Sequence, residues 1–171
     1  MSQSRFDALV DVVDPSDRVV GTLPRKRLLS AGANFRVVHI LVFNRTRDLL
    51  LQRIAPGLRH EGLWGSSVAG YVLTGETYQQ AATRKLEDEL GVRAPLKSVC
   101  KSSMVDGLSE KFIGIFETVY DGPLVSDPSQ TSQLIQLPLA RLLHERQAGL
   151  RTFTPTFLHV LDKYLAASAQ P

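Results

Sequence analysis

GYVLTGETYQQAATRKLEDELGV, residues 70–92, is the stretch on which the reading of this chain turns. Thr77 followed three positions later by Gln80 has the form of a capping box, and Gly91 stands where a helix takes a left-handed terminal residue. Between them Tyr78, Ala82, Leu86 and Leu90 recur every four residues. That spacing predicts an amphipathic helix of about 14 residues, about 20 Å long. Glu76 stands just ahead of the helix, while Arg84, Glu87, Asp88 and Glu89 crowd its last turns. The pattern places Asp88 and Glu89 away from the apolar stripe, facing solvent or a ligand. Carboxylates gathered at one site repel unless a cation neutralises them or their pKa values rise. Hard oxygen donors suit Mg²⁺, which takes one or two carboxylates, several waters and substrate phosphate oxygens. Arg84, three and four residues before Glu87 and Asp88, can hold a carboxylate in one orientation. Taken alone, such a face reads first as solvated surface with a few ion pairs.

Working outward, strands and short helices alternate on both sides. Phe6 to Val13, a turn at Asp14–Asp17 and an extended Arg18–Gly21 predict a hairpin. Pro24 can open a short helix through Leu29. Phe35–Phe43 reads as a buried strand, turning through 44–48 into a partner over Leu49–Ile54. A loop leads to a third strand around Ser66–Val72. Beyond the central helix, Leu96–Met104 and Glu110–Tyr120 read as strands about an Asp106-Gly107 turn, and Asp121–Ser132 as a polar loop. Pro138 opens a short helix, and Thr154-Pro155 caps a last one with a stripe of Phe157, Leu161, Tyr164 and Leu165. The class is α/β.

Composition excludes several alternatives. With 171 residues, 43% hydrophobic and 22% charged, the chain is of single-domain size and too apolar to be disordered. A formal net charge of +3, evenly spread, is no nucleic-acid footprint. One cysteine, Cys100, makes neither a disulfide nor a zinc site and suits a reducing compartment. The longest apolar run, Val37–Phe43, is too short for a bilayer, and Met1–Arg5 does not begin a signal peptide. The expected setting is cytoplasmic, with no membrane and no nucleic-acid partner.

Spacing makes the central stretch more specific. Gly70, five residues, Glu76, seven residues, Arg84, then Leu86, Asp88-Glu89 and Gly91-Val92 resembles the Nudix box. The pattern there is Gly-x5-Glu-x7-Arg-Glu-(aliphatic)-x-Glu-Glu-x-Gly-(aliphatic). Val12–Asp14 through Val20-Gly21, Leu51–Arg53, Gly62–Gly70 and Phe153–Pro155 are similar to the isopentenyl-diphosphate-isomerase-like branch of that superfamily. The resemblance implies a Nudix fold: an α/β/α sandwich around a mixed β-sheet, with an N-terminal β-hairpin and C-terminal helices. It divides one domain, 1–171, into a hairpin extension (1–33), a core (34–136) and C-terminal helices (137–171).

The chemistry it implies is Mg²⁺-dependent attack of water on a diphosphate linkage, with Mn²⁺ as the alternative ion. Glu76, Asp88 and Glu89 with the Gly70 carbonyl would hold metal, and Arg84 would orient the carboxylates. Two positions depart from the pattern. Asp88 shortens one carboxylate arm, and Lys85 replaces the Glu that in many members binds metal or acts as base. A lysine ammonium has no lone pair with which to accept a water proton. Lys85 then either pairs with the neighbouring carboxylates or contacts substrate phosphate, and the base falls to Asp106, Glu110 or Glu117, while Asp127 stands in the loop where relatives often carry an additional acidic ligand. The isomerase pattern has a cysteine and histidines where this chain has Ala69, Tyr71 and Phe35, which disfavours alkene protonation. The expected substrate is a small-molecule nucleoside di- or triphosphate, cleaved to the monophosphate plus phosphate or pyrophosphate. Arg53 and Arg36 are candidate phosphate contacts and Tyr71 a candidate base-stacking residue, beside Trp64 and Phe35. His39, within an apolar strand, reads as a hydrogen-bonded core histidine. The alternative function is a catalytically weak or inactive nucleotide-binding module.

Overall fold

The computed structural model describes residues 7–169. Phe6, the expected start of the first strand, and the Met1–Arg5 segment lie outside the described residues. Strands β1 (Leu9–Val13) and β2 (Val19–Pro24) form the expected antiparallel hairpin, with a register shift at Val12/Val13. The helix expected from Pro24 is only a 3₁₀ turn, Arg25–Arg27, because Pro24 closes β2.

Seven further strands make one mixed sheet: β3 (Phe35–Phe43), β4 (Asp48–Ile54), β5 (Trp64–Gly65), β6 (Val68–Tyr71), β7 (Lys97–Asp106), β8 (Ser109–Val119) and β9 (Thr131–Pro138). Among the paired strands of the described residues only β3 and β8 run parallel, in register from Phe35/Lys111 to Phe43/Val119. β9 runs through the end of the expected polar loop and on to Pro138. It owes its place to main-chain pairing with β4, from Asp48/Pro138 to Ile54/Thr131.

Helix α1 (Tyr78–Leu90) has the expected ends. Thr77 Oγ1 accepts from the Gln80 amide at 3.2 Å, Gln80 Oε1 accepts from the Thr77 amide at 2.9 Å, and Gly91 has φ 65°. α2 (Leu139–Gln147) and α3 (Pro155–Ser168) follow, the latter capped by Thr154, whose hydroxyl accepts from the Phe157 amide at 3.1 Å.

β3 is continuously apolar because both its faces are covered. Val38, Ile40 and Val42 join Ala82, Leu86 and Leu90 of α1 in one core cluster. Val37, Leu41 and Phe43 join Phe157, Val160, Leu161 and Tyr164 of α3 in the other. The sheet thus lies between α1 and the C-terminal helices, the layered arrangement expected. Among the described residues no helix is long and apolar enough to cross a membrane.

Candidate active site

The site opens where the sheet divides. β3 and β4 share one registered pair, Phe43/Leu49; β3 then pairs with β6, and β4 with β5 and β9. A cavity of about 610 Å³ is lined by Val37 and His39 from β3, Gln52 and Ile54 from β4, and Ala69, Gly70 and Tyr71 from β6. Because the strands part, side chains from both covering layers reach it: Arg84, Lys85, Asp88 and Glu89 from α1, and Thr154 and Thr156 at the start of α3.

Arg84 is committed to Glu76. Its Nε and Nη2 donate to the two carboxylate oxygens at 2.6 and 2.8 Å, and Nη2 also donates to the Tyr71 carbonyl at 3.0 Å. The Leu73 amide donates to Glu76 as well, at 2.8 Å. Burial pushes the Glu76 carboxyl up, but the Arg84 guanidinium and the Leu73 amide together hold it below its usual value. Arg84 thus orients a carboxylate, as the resemblance implies, and that carboxylate is Glu76. Asp88 lies 3.7 Å from Arg84 with 59% of its side chain exposed, and Glu87 pairs with Arg93.

Glu89 corrects the expected helix face. Adjacent helix residues differ by about 100°, so Glu89 does not share the direction of Asp88. It falls on the flank of the Leu86/Leu90 stripe, 5% exposed, and pairs with the Lys85 ammonium one turn earlier. The Lys85 stem lies across Gly70: a Cβ built there would meet Cδ at 2.5 Å and Cγ at 2.9 Å.

The far wall carries a cluster that sequence reasoning did not assemble. Arg59 donates to both oxygens of Asp106 at 2.9 and 2.6 Å, and Lys111 Nζ donates to Asp106 Oδ2 at 2.9 Å and to Thr156 Oγ1 at 2.6 Å. The Arg59 guanidinium, then Lys111, hold the Asp106 carboxyl well below the usual carboxylate range. Two cations against one carboxylate leave this wall positive. A carboxyl so depressed stabilises the fold at every pH above its ordinary value, and the contribution is lost as pH falls through the folded-state value. Asp106→Asn is therefore expected to be less stable than wild type at neutral pH, with the deficit shrinking only in acid; denaturant unfolding across pH measures it. A constant deficit would show that the carboxylate's charge is not what matters.

Near the mouth, the Arg25 guanidinium lies 4.4 Å from the centre of the Tyr71 ring, which stacks on Phe35 at 5.4 Å. Tyr71 thus faces the cavity. Arg36 pairs with Asp17 at 2.5 Å and lies over Tyr78, and Arg53 donates to the Gly62 carbonyl at 2.9 Å; neither belongs to the cavity wall. Trp64 is buried under Arg151. Of the candidate bases, Asp106 lines the cavity, as does the loop acid Asp127, whereas Glu110 accepts from Ser103, and Glu117 from Tyr164 and Lys97. His39 is the expected core histidine: its Nδ1 lies 2.8 Å from Ser66 Oγ, and burial, with Lys111 and His159 adding, takes its pKa down to about 3.

A divalent ion finds no ready-made cage. Among the described residues, no group of three or more His, Cys, Asp or Glu side chains could hold a metal. Glu76 is engaged by Arg84 and Glu89 by Lys85, which leaves Asp88 as the solvent-facing carboxylate of the three expected ligands. The residues present do not fit a resident Mg²⁺ in this arrangement.

A model described as the NUDIX domain matches residues 33–157. Among curated proteins, a Nudix hydrolase of Pseudomonas aeruginosa is 31% identical over 161 residues, covering 93% of this chain and 94% of the relative. An isopentenyl-diphosphate Delta-isomerase of Serratia proteamaculans is 28% identical over 162 residues, covering 91% and 90%. Among solved structures, the Deinococcus radiodurans protein DR0079 matches with a TM-score of 0.78 at 25% identity, covering 91% of this chain and 99% of that one.

Proposed function

The chain belongs to the Nudix family, and from that membership we propose that it hydrolyses the diphosphate linkage of nucleoside di- or triphosphates. The products are the monophosphate and phosphate or pyrophosphate. One observation carries this reading. A single cavity of about 610 Å³, within the usual range for small-molecule sites, joins the charged end of α1 to the Arg25–Tyr71–Phe35 wall. In the stacked wall the Arg25 guanidinium lies over the Tyr71 ring and offers a planar base a flat cationic face. The adjoining cations Arg59 and Lys111, the latter in register with Phe35 on the neighbouring strand, offer charge-assisted hydrogen bonds to phosphate oxygens.

In this reading a water adds to phosphorus, the bond to the bridging oxygen breaks, and the leaving phosphate takes the bond's electron pair. Asp88 or Asp127, both on the cavity wall, receives the water's proton. Arg59 and Lys111 offset the charge on the phosphate oxygens as the displacement proceeds. Nudix hydrolases generally use a divalent metal, typically Mg²⁺. Here Mg²⁺ enters as the counter-ion of the nucleotide, and so as part of the substrate.

Two other readings have their own observations. The Lys85–Glu89 pair favours a module that binds nucleotides without cleaving them. The Serratia relative's name favours isomerisation of isopentenyl diphosphate. Against the latter, Ala69 and Tyr71 stand at the expected cysteine and histidine positions, and half-buried Cys100 on β7 lies off the cavity wall. A phosphate-release screen over nucleoside di- and triphosphates with Mg²⁺ is expected to find turnover, with Arg59→Ala raising KM. Nucleotide binding without any release would favour the module. Deuterium from solvent entering isopentenyl diphosphate would replace the hydrolase reading with the isomerase one.

A further inference from the structure

Three observations converge on Lys85. Its ammonium pairs with buried Glu89, leaving only 17% of the Lys85 side chain exposed. Its stem covers Gly70 so closely that even a methyl group there would overlap it. Both partners and Gly70 line the cavity. Glu89 and the Gly70 carbonyl are two of the groups to which the family resemblance assigns the metal. In this chain one lysine engages both positions, its ammonium pairing with the carboxylate and its stem covering the glycine.

We propose that the Lys85 ammonium is the resident cation of this site, in place of a divalent metal held by the free protein. The pair with Glu89 is neutral, so a divalent ion entering beside it would meet the ammonium's repulsion with no net attraction from the pair itself. The stem's length across Gly70 sets how far the ammonium reaches into the cavity. This deepens the hydrolase reading but can be tested without substrate.

The experiment follows Mn²⁺ uptake by the nucleotide-free protein, from loss of the free-ion electron paramagnetic resonance signal and from Mn²⁺-dependent shifts in Tm. Wild type is expected to show no saturable uptake over the range in which Lys85→Gln and Lys85→Glu saturate, the variants binding at least about tenfold more tightly. Gly70→Ala, whose methyl would displace the Lys85 stem without a forbidden φ, is expected to gain Mn²⁺ affinity in the same direction. Lys85→Gln leaves Glu89 without its cation, and if that variant is poorly folded, Gly70→Ala and the wild-type titration still decide. Wild type taking up Mn²⁺ as tightly as the Lys85 variants, or as Gly70→Ala, overturns the proposal. Absence of phosphate release from any nucleotide would instead count against the hydrolase reading, and would leave the metal titration to be judged separately.

Discussion

Glu89→Gln is expected to cost about 3 kcal/mol of folding stability, because it strands the Lys85 ammonium in a site only 17% open to water. Breaking a buried pair from one side typically costs about 3–5 kcal/mol, and the residual exposure of Lys85 puts this case at the low end. For a chain of this length that is a fall in Tm of roughly 6–12 °C. The double variant Lys85→Met/Glu89→Leu removes both charges while keeping comparable volume, and is expected to recover most of the loss. A calorimetric melt of the wild type, the single variant and the double variant separates the two effects. If Glu89→Gln melted with the wild type, the pair would contribute nothing, and the charge balance of the α1 flank would have to be redrawn. The double variant also divides structure from chemistry: a stable protein without the pair shows what the cavity does when its lysine is gone.

The second large effect is acid sensitivity through His39. Burial takes its pKa down from 6.5 to about 3, so the folded protein keeps a neutral imidazole where the unfolded chain would protonate. The unfolded state therefore binds the extra proton, and stability falls as pH drops below 6.5. Linkage sets the slope near 1.4 kcal/mol per pH unit, about 2 kcal/mol between pH 6.5 and pH 5. His39→Gln keeps a hydrogen-bonding side chain beside Ser66 but cannot titrate. It is expected to be the less stable protein at pH 8 and to close most of that gap by pH 5, where the wild type carries the proton penalty. Denaturant midpoints at several pH values read the difference directly. Parallel pH profiles for the two proteins would mean that His39 is protonated in the fold. His60 and His159 are also lowered by burial, so they add to the wild-type slope but cancel in the comparison.

Much of the architecture was legible because its causes are local. The capping box at Thr77, the left-handed Gly91 and the four-residue repeat from Tyr78 to Leu90 each act within one helix, and α1 has those ends. β3 announced itself as an apolar run too short for a membrane and suited to burial on both faces. β9 was hidden for the opposite reason. Ser132, Gln133 and Gln136 look like loop, and what makes them strand is pairing with β4, far back in the chain. The candidate site divides in the same way. The charged residues of one helix were readable from spacing, although treating Asp88 and Glu89 as one direction concealed the burial of Glu89. Arg59 and Asp106 meet across 47 positions, and no local pattern marks such a meeting. Lys111 offered a faint signal, a charge directly ahead of the apolar run Phe112–Phe116. The misplacement of Arg36 and Arg53 has an equally plain cause: both lie on strands that line the cavity, but alternate residues point to opposite faces.

The parting of β3 from β4 also has a consequence for how the chain is made. Gln52 and its hydrogen-bond partner Thr131 are separated by 79 positions. At ordinary rates of synthesis, roughly 5–20 residues per second, about 4–16 s pass between the appearance of the two strands. During that interval Leu49, Leu50 and Leu51 form an apolar strand with one ladder edge waiting, joined to β3 by a single registered pair and to β5 by two. An unpaired apolar edge is the feature through which nascent chains stick to one another. The same division of the sheet that leaves room for a ligand in the finished protein therefore leaves the ribosome-bound chain with an open apolar edge until β9 arrives.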